Sequence, residues 1–181
     1  MRVIAGEAKG RRLKMVRGSG TRPIGDRVKE ALFSIMGDRV TDARFLDLFA
    51  GTGGVGIEAL SRGARWAVFV DQQGQAVATI KDNLTHTRLN DRAQVVRADV
   101  FAFMRRDHLH PFDLVYVAPP QYQGLWAKTV LALDESDLVA PQGLVVVQIH
   151  PKEYEELELE ALELADQRKY GSTMLCFYGA E

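Results

Sequence analysis

Apolar and polar stretches alternate along most of the chain in a pattern that predicts strands and helices in turn. Short apolar runs predict five strands, at residues 45–49, 66–70, 94–97, 113–117 and 144–149. Apolar residues at helical spacing predict five helices, at residues 27–36, 55–62, 75–84, 101–105 and 125–133. Asp26 is the expected cap of the first helix. The last residues predict a hairpin, with strands at 162–168 and 173–178 and a turn at Tyr170-Gly171.

Strands that alternate with helices predict an α/β fold, here a doubly wound, mostly parallel, seven-stranded sheet with right-handed crossovers. The C-terminal hairpin is expected to add one antiparallel strand at the edge. We find no internal repeat and no low-complexity linker, so residues 23–181 are expected to form one domain after a basic extension, residues 1–22. In such a sheet, ligands bind outside the carboxyl ends of the strands.

The composition is that of an ordinary globular protein, with 46% hydrophobic and 26% charged residues among 181. No run approaches the ~18 apolar residues of a membrane span, and we see no signal-peptide pattern near the start. Cys176 is the only cysteine, which rules out an intrachain disulfide and a cysteine-based metal site. We therefore expect a cytoplasmic protein without a membrane span.

Charge is unevenly distributed, although the net charge is only −1. Residues 1–22 hold seven basic residues and one acidic residue, with glycines that are expected to keep the segment supple. Such a segment suits a polyanionic partner. A solvated, poorly ordered terminus is the alternative interpretation.

The stretch FLDLFAGTGGVGIEAL at residues 45–60 is the richest in candidate chemistry. An apolar strand leads into a glycine-rich turn, where the backbone can approach a ligand closely, and then into a helix. Free N–H groups and the helix dipole at such a junction favour a nucleotide cofactor. The spacing of Gly51, Gly53 and Gly56, with Asp71 further on, would also fit NAD.

Three acidic residues favour S-adenosylmethionine over NAD. Asp47, inside the strand before the turn, would repel a pyrophosphate but suits the cationic methionine end, while Asp71 suits the ribose hydroxyls. Asp99, followed by Val100 and Phe101, suits the adenine amino group and ring. Taken singly, Asp71 and Asp99 could instead cap turns. The predicted cofactor-binding set is Asp47, Phe49, Ala50, Gly51, Thr52, Gly53, Gly56, Asp71, Asp99 and Val100, with no metal and with S-adenosylhomocysteine as the product.

Several segments resemble one known family. They are RVIAGEAKGRRL at the start, RPIGDRVKEALFSI at residues 22–35, FLDLFAGTGGVGIEALSRGA at residues 45–64, and the strand that ends at residue 117. The chain resembles the RsmD-type methyltransferases, Rossmann-like class I enzymes that modify the exocyclic N2 amine of a guanine in small-subunit (16S) ribosomal RNA. The resemblance implies S-adenosylmethionine as the methyl donor and ribosomal RNA, or an assembling ribosomal subunit, as the partner of a monomer. The residues expected to bind RNA are Arg2, Lys9, Arg11, Arg12, Arg22 and Arg27.

The expected catalytic segment follows the fourth strand and departs from the family's pattern. The family carries Asp/Asn-Pro-Pro-Tyr/Phe, whereas this chain has Ala118, Pro119, Pro120, Gln121 and Tyr122. In the family's motif, the first side chain and a backbone carbonyl accept the N–H bonds of the target amine, and the aromatic ring stacks on the flipped base. Ala118 has no such acceptor, so backbone carbonyls or the Gln121 amide would have to serve, with Tyr122 as the stacking ring or merely a packing residue.

Other functions remain open on the sequence alone. Ala118 is compatible with a cofactor- and RNA-binding protein that has weak or no transfer activity and acts in ribosome assembly. The residues do not distinguish guanine N2 from adenine N6, or RNA from DNA, so a DNA amino-methyltransferase is a further alternative. An NAD oxidoreductase is disfavoured because no arrangement for hydride chemistry follows the glycine turn. Asn83 either closes over the site or caps the end of its helix.

Overall fold

The computed structural model describes residues 1–18, 23–108 and 110–181. The strands are β1 (Arg44–Leu48), β2 (Trp66–Asp71), β3 (Ala93–Arg97), β4 (Phe112–Val117), β5 (Val139–Ile149), β6 (Leu162–Tyr170) and β7 (Thr173–Ala180). The α-helices are α1 (Asp26–Met36), α2 (Gly54–Ser61), α3 (Gly74–Thr87), α4 (Val100–Met104) and α5 (Leu125–Asp134). Each predicted strand and helix is present, so the periodicity identified the elements correctly.

All seven strands form one sheet, in the order β3-β2-β1-β4-β5-β7-β6. The first five strands along the chain pair in parallel, while β7 is antiparallel to both β5 and β6. The doubly wound, mostly parallel sheet and the C-terminal hairpin are therefore confirmed. The position expected for the antiparallel strand is wrong, because β7 lies inside the sheet and β6 forms the edge. The reason is burial: Leu175, Cys176, Phe177 and Tyr178 of β7 are at most 2% exposed, whereas β6 carries charged residues that suit an edge.

Helices cover both faces of the sheet. On one face, α1, α2 and α3 pack against side chains such as Phe45 and Phe69. On the other, α4 and α5 pack against Leu46 and Leu48. Because successive side chains of a strand point to opposite faces, Asp47 shares the face of Phe45, under α2.

The structure corrects the predicted starts of α1 and β5 and the predicted end of α3, which runs to Thr87 rather than to residue 84. Asp26 does not cap α1 but is its first residue, after an extended Gly25 that makes no side-chain cap. Asp26 lies in the first turn, where the helix dipole favours an acidic residue, and it faces Arg2 at 3.6 Å. Strand β5 begins at Val139 rather than at residue 144, since a register irregularity opposite Phe112 and Leu114 carries the strand through Pro141 and Gly143.

The first fourteen residues pack onto the domain, although their glycines suggested a supple segment. Val3, Ala8 and Leu13 are at most 6% exposed and belong to the core on the α1–α2–α3 face. Arg2 and Arg12 form an isolated antiparallel bridge that closes the segment into a small loop. The apolar side chains are too far apart for a periodic pattern, and their burial depends on the helices against which they pack.

A buried ion pair fastens this segment to two helices. Lys29 Nζ lies 3.1 Å from Glu58 Oε1, and both side chains are fully buried. Glu58 also accepts hydrogen bonds from the backbone N–H groups of Ile4 and Ala5 and from Arg62 Nε. Burial by itself raises the pKa of Glu58, but these hydrogen bonds and the charge of Lys29 outweigh it and lower the pKa below its ordinary value. Glu58 is therefore held as a carboxylate.

Candidate active site

A cavity of about 330 Å³ opens at the carboxyl ends of the parallel strands. Its walls come from β1, β2, β4 and β5, from the segments that follow β1, β2, β3 and β4, and from the N-terminal segment. The predicted residues that line it are Asp47, Phe49, Ala50, Gly51, Thr52, Asp71, Asp99, Val100, Ala118 and Pro120. Residues far apart in the sequence therefore meet at one site, as expected for such a sheet, in which ligands bind outside the carboxyl ends of the strands.

The glycine-rich turn after β1 has the backbone that its sequence requires. Gly51 and Gly53 have φ of 58° and 77°, which is the left-handed region that glycine adopts without strain. Phe49, which is not a glycine, also has a positive φ of 59°, a conformation that costs energy and is concentrated at functional sites. The turn leads directly into α2 at Gly54, so the start of this helix lies beside the cavity, with the N–H groups of Gly54 and Gly56 donating to Thr52 Oγ1 and Asp47 Oδ2.

Gly53 and Gly56 support the turn from outside the cavity. A Cβ atom at Gly56 would lie 2.4 Å from a ring carbon of Phe69 and 3.1 Å from Asp47 Oδ2. Gly56 therefore lets α2 pack closely on β1 and β2. Its N–H donates to Asp47 Oδ2 at 3.1 Å, which ties the helix to the buried carboxyl.

Asp47 is the most deeply buried acidic group at the site, at 1% exposed. Burial raises the pKa of its carboxyl well above the ordinary value, the Gly56 hydrogen bond lowers it, and the charge of Asp71 raises it again. A cation bound nearby would favour the charged form and lower this pKa. Asp47 therefore suits a ligand that brings its own positive charge.

Asp71 organises the loops around the cavity. Its Oδ2 accepts from the N–H of Gly51 at 3.0 Å, and its Oδ1 accepts from the N–H of Gln73 at 2.9 Å. A carboxylate has about four acceptor sites, so both oxygens can also accept from a diol. Asp71 thus caps turns and faces the cavity, and the two interpretations of this residue are compatible.

Asp99 also combines two roles. It caps α4, with Oδ1 accepting from the N–H of Ala102 at 3.0 Å, and it lines the cavity beside Val100 and Phe101. Its second oxygen makes no hydrogen bond within the part of the chain that the structure describes. The apolar side chains of Val100 and Phe101 line this part of the cavity, where an aromatic ring could pack against them.

The N-terminal segment supplies a wall of the cavity that the sequence did not predict. Met1, Met15 and Val16 line it, together with Pro23 and Ile24 before α1. The Met1 sulfur lies so close to the glycine turn that a Cβ atom at Gly54 would be 2.4 Å from it. The predicted basic extension and the cofactor loop are therefore in direct contact.

Asn83 joins the same two parts of the molecule. Its Oδ1 accepts from the N–H of Lys14 at 2.7 Å, and its Nδ2 donates to the carbonyls of Lys14 and Thr52 at 3.1 and 2.9 Å. Asn83 is 1% exposed, so it is neither a free group over the site nor a cap of its own helix. It holds the basic segment against the glycine turn.

The segment after β4 only partly follows the prediction. Ala118 and Pro120 line the cavity, whereas Pro119, Gln121 and Tyr122 do not. Tyr122 is 64% exposed with φ of 60°, its N–H donates to Glu153 at 2.7 Å, and its ring lies 5.8 Å from that of His150. The ring that was expected to stack on a base therefore lies at the surface, beside the cavity.

Three polar residues in this region were missed by the sequence analysis: Tyr116, Gln123 and Gln148 all line the cavity. The Tyr116 hydroxyl donates to Gln148 Oε1. Burial and the nearby charge of Asp47 raise the pKa of the Tyr116 phenol well above its ordinary value, so the hydroxyl stays protonated. Tyr116 and Gln148 lie within apolar strand sequence, where only strand register shows which side chains reach the cavity.

The predicted RNA-binding residues that the structure describes are exposed or half-exposed. Arg2, Lys9, Arg12 and Arg27 are exposed, and Arg11 Nη1 donates to the carbonyl of His86 at 3.0 Å. Arg22 lies outside the described residues.

Within the described ranges, no group of three or more His, Cys, Asp or Glu side chains could hold a metal ion. No described helix is long and apolar enough to span a membrane.

The fold and the cavity define a Rossmann-like protein of the class I methyltransferase type. The model of the family "Conserved hypothetical protein 95" matches residues 1–179, and the chain belongs to this family. It is 38% identical over 183 residues to the "Putative rRNA methyltransferase YlbH" of Bacillus subtilis, covering 98% of each chain. It is 33% identical to the "Ribosomal RNA small subunit methyltransferase D" of Escherichia coli, covering 82% of this chain and 74% of that protein. A solved structure of a hypothetical protein from Thermus thermophilus superposes with a TM-score of 0.84 at 34% identity and covers 98% of each chain. The resemblance to RsmD-type proteins is therefore confirmed.

Proposed function

We propose that this chain is an S-adenosylmethionine-dependent methyltransferase that modifies the exocyclic N2 amine of a guanine in small-subunit ribosomal RNA. The observation that carries the proposal is the meeting of Asp47, Asp71 and Asp99, from the ends of three adjacent strands, around one cavity beside a glycine-rich turn. Relatives named as ribosomal RNA methyltransferases support the choice of reaction and substrate.

The residues present fit S-adenosylmethionine, which has an ammonium, a sulfonium, a ribose diol and an adenine ring but no phosphate. The buried Asp47 would face the methionine end and favour its ammonium group, acting through water or the backbone amides of the glycine turn. Asp71 would accept from the ribose hydroxyls. The free oxygen of Asp99 would accept from the adenine amino group, while Val100 and Phe101 pack on the ring.

When bound, S-adenosylmethionine would supply an electrophilic methyl group on a positively charged sulfur. The amine nitrogen would form the new bond to the methyl carbon, sulfur would keep the electrons of the broken carbon–sulfur bond, and the nitrogen would lose a proton to water. The protein contributes by positioning the amine and by placing hydrogen-bond acceptors around it. An aryl amine is a weak nucleophile because its lone pair is delocalised into the ring. A backbone carbonyl at Ala118 or Pro119 is proposed to accept one of its two N–H bonds and to help direct the lone pair.

RNA binding is proposed for the basic surface next to the cavity. Arg2, Lys9, Arg11 and Arg12 lie on the segment whose continuation, Met15 and Val16, forms a cavity wall. Phosphate contacts there would place a flipped base over the site. Four further properties stay predictions: the cytoplasmic location, the monomeric state, the absence of a metal, and the division of the chain at residue 22.

A transfer assay with labelled S-adenosylmethionine tests the proposal. Purified small-subunit RNA, assembling subunits and double-stranded DNA are offered separately, and the labelled product is digested and identified as a nucleoside. We expect N2-methylguanosine from the RNA or subunit samples alone. Labelled N6-methyladenine, or label in DNA, would contradict the proposed substrate. A complete lack of incorporation, with cofactor binding shown by calorimetry, would contradict transfer itself.

Ala118 favours one second candidate, a cofactor- and RNA-binding protein without transfer activity. The variant Ala118→Asp separates the two functions because it restores a side-chain acceptor at this position. If the wild type is inactive and A118D is active, the second candidate is correct. An active wild type excludes it.

A further inference from the structure

The target amine needs a side-chain acceptor that the segment after β4 does not supply. An exocyclic amine has two N–H bonds, and leaving one of them unpaired in a closed site costs much of the binding and orientation. Ala118 ends in a methyl group, and Gln121, the nearest amide in the sequence, lies in an exposed turn away from the cavity.

The polar side chains of the cavity leave few candidates for this acceptor. The three carboxylates face the proposed cofactor, and Thr52 Oγ1 already accepts from the N–H of Gly54 at 3.1 Å. On the β4–β5 side, the lining polar side chains are Tyr116, Gln123 and Gln148. Gln123 is exposed in the loop before α5, whereas Gln148 is half-buried on a central strand of the sheet.

Strand register places Gln148 in line with the acidic end of the cavity. Asp47 pairs with Tyr116 across β1 and β4, and Tyr116 pairs with Val146 across β4 and β5. Gln148 is two residues beyond Val146 and therefore points to the same face of the sheet. The row Asp47, Tyr116 and Gln148 crosses three neighbouring strands just before the loop that carries Ala118.

Tyr116 fixes the orientation of the Gln148 amide. Its hydroxyl donates to Gln148 Oε1, and the buried phenol remains a donor because it stays protonated. An amide oxygen has two lone pairs, so one remains for a second donor. A side chain held in this way is a preorganised acceptor, which is the arrangement that favours transfer.

We propose that Gln148 accepts an N–H bond of the target amine and takes the place of the acceptor that Ala118 lacks. The inference rests on the proposed function and adds a substrate-contacting residue to it. Gln148 only accepts the hydrogen bond; the amide is not a base, and the proton shed on transfer goes to water.

A double-mutant cycle tests the assignment. Gln148→Leu should lower kcat by about 10²–10³-fold, the usual loss for one positioned polar contact in a transition state. Ala118→Asn should restore most of this loss in the Q148L background and change the wild-type rate much less. Gln94→Leu changes an exposed glutamine of β3 that does not line the cavity; it is the matched control and should leave kcat nearly unchanged. Calorimetry with S-adenosylhomocysteine should give the same affinity for all four variants.

A binding measurement gives a readout that is independent of transfer. RNA carrying guanosine at the mapped target position is compared with the same RNA carrying inosine, which lacks the 2-amino group, in the presence of S-adenosylhomocysteine. Wild-type protein should prefer guanosine, and Q148L should bind both RNAs equally.

Two results would overturn the inference. One is a Q148L protein that loses S-adenosylhomocysteine affinity in parallel with rate, and the other is an A118N substitution that restores no more activity in Q148L than in the wild type.

If thermal unfolding shows that Q148L does not fold, Gln148→Glu and Tyr116→Phe replace it. Q148E keeps an acceptor and should keep the guanosine preference, and Y116F should weaken that preference; the opposite pattern contradicts the inference. If the wild-type protein transfers no methyl group but still prefers the guanosine RNA, the proposed function is refuted, while the contact between Gln148 and the amine is supported. If the wild-type protein binds the guanosine and inosine RNAs equally, that contact is refuted.

Discussion

The burial of the Asp47 carboxyl affects both the stability of the fold and the binding of a ligand. Its carboxyl is buried beside β2 and β4, with the Gly56 N–H as its hydrogen-bond donor and Asp71 as a neighbouring negative charge. In the folded protein its pKa lies well above the ordinary 3.8. The folded state therefore holds this proton more tightly than the unfolded chain, and the group's contribution to stability is lost as the pH rises from about 3.8 through the raised pKa.

The first prediction concerns Asp47→Asn. Above the raised pKa, D47N should increase the free energy of unfolding, because the amide removes a buried charge and still accepts from Gly56. The same variant should weaken S-adenosylmethionine binding by about 10- to 100-fold, the worth of a hydrogen bond to a charged group. Calorimetry in buffers of different ionisation enthalpy should show proton release on binding to the wild type and none to D47N. A D47N protein that binds with unchanged affinity would contradict the role of this carboxylate.

The second prediction concerns Gly56→Ala, which adds one methyl group between α2 and Phe69. Its Cβ atom would lie 2.4 Å from the Phe69 ring, so the helix or the ring must move. We expect a loss of about 1–3 kcal/mol in the free energy of unfolding, as for other overpacked cores, with weaker cofactor binding. Gly179→Ala in β7 is the control, because its Cβ atom meets nothing within 4 Å. Equal effects of the two substitutions in urea unfolding would show that close packing at Gly56 is unimportant.

At the scale of elements, the molecule depends on how α1 and α2 hold the N-terminal segment. Lys29 donates to the carbonyl of Arg2 at 2.7 Å, and Glu58 receives the N–H groups of Ile4 and Ala5. The ion pair is buried, so its members are costly to separate although the intact pair adds little net stability. The pair acts as a connector between the segment and the cofactor-binding helix.

The third prediction is that Lys29→Met costs about 3–5 kcal/mol, the usual range for removing one partner of a buried pair. The loss should lie toward the lower end because Arg62 and two N–H groups still serve Glu58. Hydrogen exchange at Ile4 and Ala5 should accelerate before the rest of the sheet opens. Arg168→Ala breaks the exposed pair with Asp166 and serves as the control, with a change of at most about 1 kcal/mol. Similar losses for the two variants would contradict the connector role.

At the scale of the whole molecule, the basic segment and the cofactor cavity form one continuous unit. Asn83 links Lys14 to the glycine turn, and Met1 packs on Gly54. Most charged groups on the segment stay exposed, while Val3, Ala8 and Leu13 enter the core. RNA that binds to this segment would therefore be held at a fixed distance from the methyl donor.

The fourth prediction is that Lys9→Ala with Arg12→Ala weakens RNA binding and flattens its salt dependence. Each lost phosphate contact should reduce the slope of log K against log salt by about 0.7 to 0.9. Lys169→Ala at the exposed edge strand is the control and should change neither quantity. An unchanged slope in the double variant would place the RNA on another surface.

The sequence was sufficient wherever the local pattern determines the structure. The run from Phe45 to Leu60 has buried-strand, turn and helix signals in unbroken order, and it folds as predicted. Asp71 ends β2 and Asp99 lies two residues after β3, so the rule for the carboxyl ends of strands predicted that both would line the cavity.

The misses depend on contacts between distant residues. Gln148 lies within an apolar strand, and only its register with β4 shows that it faces the cavity. Val3 and Leu13 lie in a segment of charges and glycines without helical or strand periodicity, and the helices that bury them lie elsewhere in the chain. Tyr122 was expected to stack on a base or to pack against the protein; its ring is exposed, in a loop with a positive φ whose N–H donates to Glu153.

The most direct measurement is mass-spectrometric mapping of small-subunit ribosomal RNA from cells with and without this protein. The account predicts one guanosine that carries an N2-methyl group in the wild type, lacks it when the protein is removed, and regains it when the wild-type chain is restored but not when a binding-deficient D47N chain is supplied. Identical methylation in both strains, or loss of a methyl group at a position other than a guanine N2, would contradict it.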